Sequence, residues 1–155
     1  MKTFVVAISL VIALSFLSAY YIFRTTGLSI VEREKYLVTR VTDGDTIVIE
    51  SGDPVRLLGI DTPEKGEKCY KEATNRLKEL ILNKEVEIER DEENKDRYKR
   101  LLRYVFYNGT FINELLVAEG YAHLYFIEPN TKYNDVLKKA AQSAKNEGKG
   151  CLWKP

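Results

Sequence analysis

The stretch Val55-Arg56-Leu57-Leu58-Gly59-Ile60-Asp61-Thr62-Pro63-Glu64 constrains the fold of this chain more than any other. Val55 to Ile60 reads as a strand, which then breaks into three oxygen-bearing side chains around a proline. Side chains alternate along a strand, so Arg56, Leu58 and Ile60 share one face and Leu57, Gly59 and Asp61 the other. On a flat strand Arg56 and Asp61 point apart. Twist, a bulge at Gly59 or the bend at Pro63 is needed to bring them to one site. Asp61-Thr62-Pro63-Glu64 also reads as a helix start, with a capping oxygen, proline at the first helical position and an early acid. Two other pieces favour a functional reading. They are the acidic turn Asp43-Gly44-Asp45-Thr46 and the run Asp96-Arg97-Tyr98-Lys99-Arg100, where cations flank an aromatic.

Periodicity places these pieces on elements. Tyr36 to Val41 and Thr46 to Glu50 alternate and are rich in β-branched residues, with Asp43-Gly44 as the turn between them. Ser51 to Pro54 turns into the third strand. Ala73, Leu77, Leu80 and Ile81 then fall on one helical face within Tyr70 to Leu82. Glu85 to Arg90 and Arg100 to Tyr107 return to strand character, the latter ending at the turn Asn108-Gly109. Asn113 is a plausible N-cap of a short helix through Glu119, and a last helix covers about Asn134 to Asn146, ended by Gly148 and Gly150. Five short strands with a helix after the third predict an α+β chain. Its centre is a five-stranded Greek-key barrel of the OB type with three flanking helices.

The N-terminus is of a different kind. Phe4 to Phe23 carries no charge and is long enough to cross a hydrocarbon core, so residues 1–24 read as a signal anchor or signal peptide. A small-x-small cleavage site is not evident, which favours an anchor holding the protein to the membrane. Residues 25–35 read as a polar tether and 36–155 as the domain. The expected placement is outside the cell, either membrane-anchored or secreted. Removing Lys2 and Arg24 from the 24 basic residues leaves 22 against 23 acidic ones. Such a balance argues against a bulk polycationic binder, so phosphate recognition falls to a local cluster, Lys95 to Arg103, with five cations in nine residues. Cys69 and Cys151 are the only cysteines and His123 the only histidine, which argues against structural zinc. A disulfide between the two cysteines would close a long loop worth roughly 4–5 kcal/mol and imply an oxidising compartment. Two buried free thiols are the alternative.

Taken together, DGDT, R-L-L-G-I-D-T-P-E and D-R-Y-K-R-L-L resemble the staphylococcal nuclease (thermonuclease) family. The likeness extends through Asn108-Gly109, Asn113-Glu114-Leu115-Leu116 and Leu152-Trp153, covering about residues 36 to 155. It implies an OB-fold nuclease that uses Ca2+ to hydrolyse DNA and RNA, leaving 3′-phosphate ends, and it implies no protein partner. By the same resemblance Asp45 and Asp61 bind calcium, together with the backbone oxygen of Thr62. Arg56 and Arg100 are the catalytic arginines, and Glu64 is the general base or water-orienting carboxylate. Tyr98 and Tyr125 line the nucleotide pocket, and Arg97 stands beside Tyr98 as a further substrate contact.

Elementary chemistry agrees with those roles. Hard cations take oxygen ligands, and calcium tolerates irregular shells completed by water. Guanidinium stays charged and can grip phosphate oxygens with two donors. An exposed tyrosine offers a stacking face to any base, although a core position for Tyr125 is the competing expectation. Two departures stand out. Lys99 occupies a position where many family members have glycine, which costs about 1 kcal/mol if the backbone there is left-handed. The loop after the D-T-P-E motif shortens to about Lys65-Gly66-Glu67-Lys68. His123 receives no role, and no serine–histidine pair supports a serine-type hydrolase. The competing function is a non-catalytic OB module binding single strands or a protein. A structural envelope protein leaves the acids and arginines unexplained.

Overall fold

The computed structural model describes Tyr20 and residues 33–154. The expected apolar helix over residues 4–23, its cleavage and most of the tether lie outside the described residues. Among those described, no helix is long and apolar enough to cross a membrane. The chain divides into units 1–32 and 33–155, and the strands among the described residues lie in the second.

The elements of this second unit are β1 (Arg33–Val41), β2 (Thr46–Ile49), β3 (Pro54–Leu57), β4 (Gly59–Asp61) and α1 (Tyr70–Ile81). Next come β5 (Glu85–Glu89), β6 (Leu101–Tyr107), β7 (Thr110–Phe111) and α2 (Ile112–Ala118). The chain ends with β8 (His123–Tyr125), α3 (Asn134–Asn146) and α4 (Gly150–Trp153). Strands β3, β2, β1, β5 and β6 pair in that order, all antiparallel. Parallel pairing of β3 with β6, with Val55 opposite Leu101, closes the barrel. Closure leaves these strands without free edges. Helices α1, α2 and α3 flank the barrel as expected, and the single turn α4 adds a fourth.

Alternation puts Val38, Ile47, Ile49, Val55, Leu57, Val86, Ile88 and Val105 into one core with Leu77 and Ile81 of α1, Leu116 of α2 and Leu137 of α3. The opposite face of β6 carries Leu102, Tyr104 and Phe106 into a second, aromatic cluster with Phe111 and Tyr133. Asn108 and Gly109 both have positive φ, 48° and 77°, as a two-residue hairpin turn between β6 and β7 requires.

Several boundaries differ from the sequence expectation. Strand β1 starts at Arg33, inside the expected tether, because Arg33 to Lys35 pair with Glu89 to Glu87 of β5. Arg33 Nε also bonds the buried Glu89 carboxylate at 2.9 Å. Arg100 lies just before β6, not within it. Asn113 is no N-cap: Phe111 holds that position, and Asn113 is fully buried. Its Oδ1 accepts from Val105 N–H and its Nδ2 donates to the Leu58 carbonyl, each at 2.9 Å. Gly150 opens α4 rather than ending α3, and a Cβ there would strike the Gly120 and Glu119 carbonyls.

Cys69 and Cys151 are paired, with Cα atoms 5.6 Å apart. The bond joins the residue preceding α1 to α4 across 82 positions, a closure worth roughly 4–5 kcal/mol in the loop-entropy picture.

Candidate active site

The Val55–Ile60 run is two strands, not one. It breaks at Leu58, whose N–H bonds the Arg103 carbonyl at 2.9 Å, and resumes at Gly59 with φ +78°. Only glycine adopts that φ freely, and a Cβ on Gly59 would collide with Leu137 of α3. The break rotates the remaining residues, so Arg56 and Asp61 meet after all: Arg56 Nη2 lies 2.8 Å from Asp61 Oδ1. The helix-start reading of Asp61-Thr62-Pro63-Glu64 fails, because α1 begins only at Tyr70 and these residues leave β4 as a loop.

The acidic turn arrives from the other side. Asp45 is buried, and its Oδ2 accepts from the Thr62 N–H at 2.9 Å and the Thr62 hydroxyl at 3.1 Å. Thr46 Oγ1 donates to Asp45 Oδ1 at 3.1 Å, and Arg56 Nε stands 3.2 Å from the same oxygen. Burial pushes the Asp45 carboxyl up to about 6, with the Arg56 charge working against the rise and Asp43 adding to it. Gly44 permits the close approach: a Cβ there would sit 2.7 Å from Thr62 Oγ1 and 2.9 Å from the Ala73 Cβ.

The third piece is a turn closed by a bond from the Lys99 N–H to the Asp96 carbonyl, 3.0 Å. Asp96 organises it. Oδ1 accepts from the N–H groups of Tyr98 and Arg100, and Oδ2 takes Arg100 Nε at 2.7 Å. Burial works to raise the Asp96 pKa, but these bonds from Arg100 and Tyr98 outweigh it and hold the carboxyl below its ordinary value. Lys99 has φ +68°, the left-handed conformation in which glycine is cheaper.

The three pieces border one open cleft of about 600 Å³. It is lined by Asp43, Asp45, Arg56, Asp61, Thr62, Pro63, Glu64, Glu93, Asp96, Arg97, Tyr98, Arg100, Tyr125 and Ile127. All nine expected site residues are among them. Glu64 is exposed, and its carboxylate makes no hydrogen bond with another described residue. Tyr98 and Tyr125 are 63% and 54% exposed, so the core position considered for Tyr125 does not hold. Tyr98 has cations over its ring, the guanidinium carbons of Arg97 and Arg100 lying 4.7 and 5.5 Å from its centre.

Arg56 has most of its donors committed within the fold. Its Nη1 donates to the Leu57 and Ile60 carbonyls at 2.8 Å each and its Nη2 to Asp61, so at most two N–H groups remain, one of them facing Asp45. The Nη1 edge is committed, so a phosphate could be met only by Nε, beside Asp45, and the remaining Nη2 hydrogen. Arg100 commits Nε to Asp96 and one Nη1 hydrogen, at 3.4 Å, to Thr46 Oγ1, leaving Nη2 free. Thr46 thus links Arg100 to Asp45, a role sequence reasoning missed. The β2–β3 register puts Thr46 opposite Arg56 in the sheet, which alternation along one strand does not reveal.

The donor set suits a hard cation. Asp45 and Asp61 carboxylates and the Thr62 carbonyl are all oxygen. Among the described residues, no group of three or more His, Cys, Asp or Glu could hold a metal by itself. Such a partial shell, completed by water, fits calcium better than zinc.

Residues 54–155 match the family model described as staphylococcal nuclease homologue. The chain belongs to this family. A thermonuclease of Staphylococcus hyicus is 35% identical over 158 aligned residues, covering 96% of this chain and 93% of that protein. The thermonuclease of Staphylococcus intermedius is 39% identical over 126 residues, 76% of this chain and 75% of its own. Endonuclease YncB of Bacillus subtilis (strain 168) is 42% identical over 125 residues, 74% of this chain and 59% of its own. The family match begins at Pro54, so it takes in the arginine–aspartate break, the Asp96 turn and both tyrosines, but not Asp45.

Proposed function

We propose that the chain is a calcium-dependent nuclease that hydrolyses phosphodiester bonds of flexible DNA and RNA and leaves 3′-phosphate ends. Membership of the staphylococcal nuclease homologue family, and relatives named thermonuclease and endonuclease, support the hydrolysis of nucleic acid. One observation carries the rest: three separated segments bring Asp45, Asp61, Glu64, Arg56 and Arg100 to the border of one cleft.

Asp45, Asp61 and the Thr62 carbonyl would hold the calcium. A bound cation would polarise a phosphoryl oxygen and make coordinated water a better nucleophile. Desolvation makes the Asp45 carboxylate costly, so a cation beside it offsets that cost. Arg100 directs its free Nη2 hydrogens at the phosphate and stabilises the charge that builds on its oxygens. Arg56 chiefly fixes the Asp45 and Asp61 carboxylates and has only its Nε and one Nη2 hydrogen left to offer a phosphate. Glu64, exposed on the loop after β4, orients the attacking water or takes its proton. Breaking the bond to the 5′ oxygen leaves the phosphate on the 3′ side. Tyr98 and Tyr125 stack bases, and Arg97 adds charge beside Tyr98. The Cys69–Cys151 pair and the apolar run at residues 4–23 favour an outward-facing domain, membrane-anchored or secreted.

The test measures release of acid-soluble nucleotides from denatured DNA by the full chain, in millimolar calcium and then in excess chelator. Release that stops with chelator is the expected result, and unchanged release ends the calcium assignment. Glu64→Gln should lower turnover by about 10²–10⁴-fold with the fold intact. Folded protein that binds single strands without cleaving them in either condition would make this a binding module.

A further inference from the structure

The cleft alone is a poor place to hold a polyanion. Six carboxylates line it, Asp43, Asp45, Asp61, Glu64, Glu93 and Asp96, against three arginines. Even with a divalent cation in place, the lining carries no net positive charge to attract the phosphates of a long strand.

A second groove, about 310 Å³, lies between β8, α3 and α4 and has the opposite character. His123, Gln142, Lys138, Lys145 and Trp153 border it with apolar residues, and no carboxylate lines it. Lys138 and Lys145 are exposed and two helical turns apart on α3, so both project along one face. The pair between Lys138 and Asp135, at 3.6 Å, is exposed on both sides and holds the lysine only weakly. Lys145 Nζ stands 5.7 Å from the centre of the Trp153 ring, and the His123 ring meets Trp153 edge-on at 5.3 Å. Aromatic faces interleaved with cations are what sequence-tolerant single-strand binding uses.

The two sites adjoin across the β4–β8 pair. The β4–β8 register sets His123 opposite Asp61 and Tyr125 opposite Gly59. Residues directly opposite in an antiparallel pair face the same side, with Cβ atoms about 4.5–5.5 Å apart. His123 and Tyr125 also share a face of β8 and both are exposed. Tyr125 borders the cleft, His123 borders the groove, and the Asp61–His123 pair joins them.

We propose that this groove is a second subsite, which binds nucleotides of a single strand that extends beyond those held in the cleft. It rests on the nuclease reading above. Lys138 and Lys145 contact phosphates, and Trp153 with His123 offers apolar and stacking contact to a base. A substrate of two or three nucleotides engages the cleft alone, whereas a longer strand engages both and binds more tightly.

Two measurements on the full chain test this. Trp153 is the only tryptophan, so its emission reports on the groove directly, whether or not turnover occurs. Added oligothymidylate of about 20 nucleotides should change that emission to saturation, and a trinucleotide should leave it unaltered. The second uses the double variant Lys138→Ala/Lys145→Ala, whose positions lie outside the catalytic machinery. Its KM for the long strand should rise about three- to tenfold with kcat unchanged, while its KM for the trinucleotide stays at the wild-type value. The slope of log affinity against log salt for the long strand should shrink by about 1.4, or 0.7 per lost cation. An emission that ignores the long strand, or a long-to-short KM ratio equal to that of the wild type, overturns the proposal. Failure of the nuclease reading looks different: the wild type then cleaves neither substrate, while the emission measurement still decides the groove.

Discussion

Arg56 and Arg100 border the same cleft and carry the same guanidinium group, yet the molecule treats them differently. Arg56 rises from β3 at the floor, its side chain 6% exposed, with carbonyls and carboxylates around nearly all its donors. Arg100 leaves a turn at the rim, 29% exposed, braced by one carboxylate and one hydroxyl, with an amino group to spare. A buried ion pair costs desolvation and leaves an uncompensated charge when one partner is removed. An exposed, braced cation costs little to keep and remains available to an incoming anion. Position in the fold therefore separates the two: the floor arginine holds the acidic site together, and the rim arginine keeps an amino group open to the cleft.

Four substitutions would break or sharpen that contrast. The largest expected effect on turnover is on the rim. Arg100→Ala should lower kcat by about 10²–10³-fold while moving the unfolding free energy by no more than about 1 kcal/mol. Parallel turnover and urea titrations would show it, and a large loss of stability would place Arg100 in the floor class. Arg56→Ala should reverse the pattern, costing about 3–5 kcal/mol of stability because Asp45 stays buried without its cation. A variant as stable as wild type would mean that Asp45 takes up a proton or reaches water at little cost.

Smaller effects test the brace of the rim. Asp96→Asn removes a charged acceptor of three bonds and should cost about 1–2 kcal/mol near neutrality. The folded Asp96 carboxyl titrates below its ordinary value of 3.8, so its contribution is present above that value and fades as pH falls through the lower folded one. The stability gap between wild type and Asp96→Asn should accordingly narrow on acidification, and a gap independent of pH would exclude the charge as its source. The smallest expected change is at Lys99. Lys99→Gly should stabilise the protein by up to about 1 kcal/mol by relieving the left-handed backbone, partly offset by the greater freedom of glycine when unfolded. Thermal melts at equal buffer and salt would resolve it, and destabilisation would mean that the lysine side chain holds the turn.

Periodicity and turn chemistry are strong enough to mark most of the barrel. Each of the five barrel strands and three of the helices sits within a few residues of where alternation, β-branching or helical spacing puts it. The elements that sequence reasoning misses are short: β4, β7, β8 and α4 span 3, 2, 3 and 4 residues, too few for any period to register. Asn113 is misread for a related reason. Its capping chemistry is local, but the bonds it makes reach Leu58 and Val105, which are neighbours only in space.

The sequence by itself determined which groups are present for chemistry: oxygen donors at Asp45, Asp61 and Thr62, cations at Arg56, Arg97 and Arg100, and stacking faces at Tyr98 and Tyr125. Residue type and local motif decide those, and both are written in the chain. Only the tertiary structure decided that Arg56 turns toward Asp61, because the break at Leu58–Gly59 is bonded to the Arg103 carbonyl and packed against Leu137, both distant in the chain. It also decided that Arg56 is locked while Arg100 is free, that Thr46 joins them, and that His123 stands opposite Asp61 and beside Trp153. Burial, register and the commitment of hydrogen bonds are properties of the packed barrel. No window of sequence contains them.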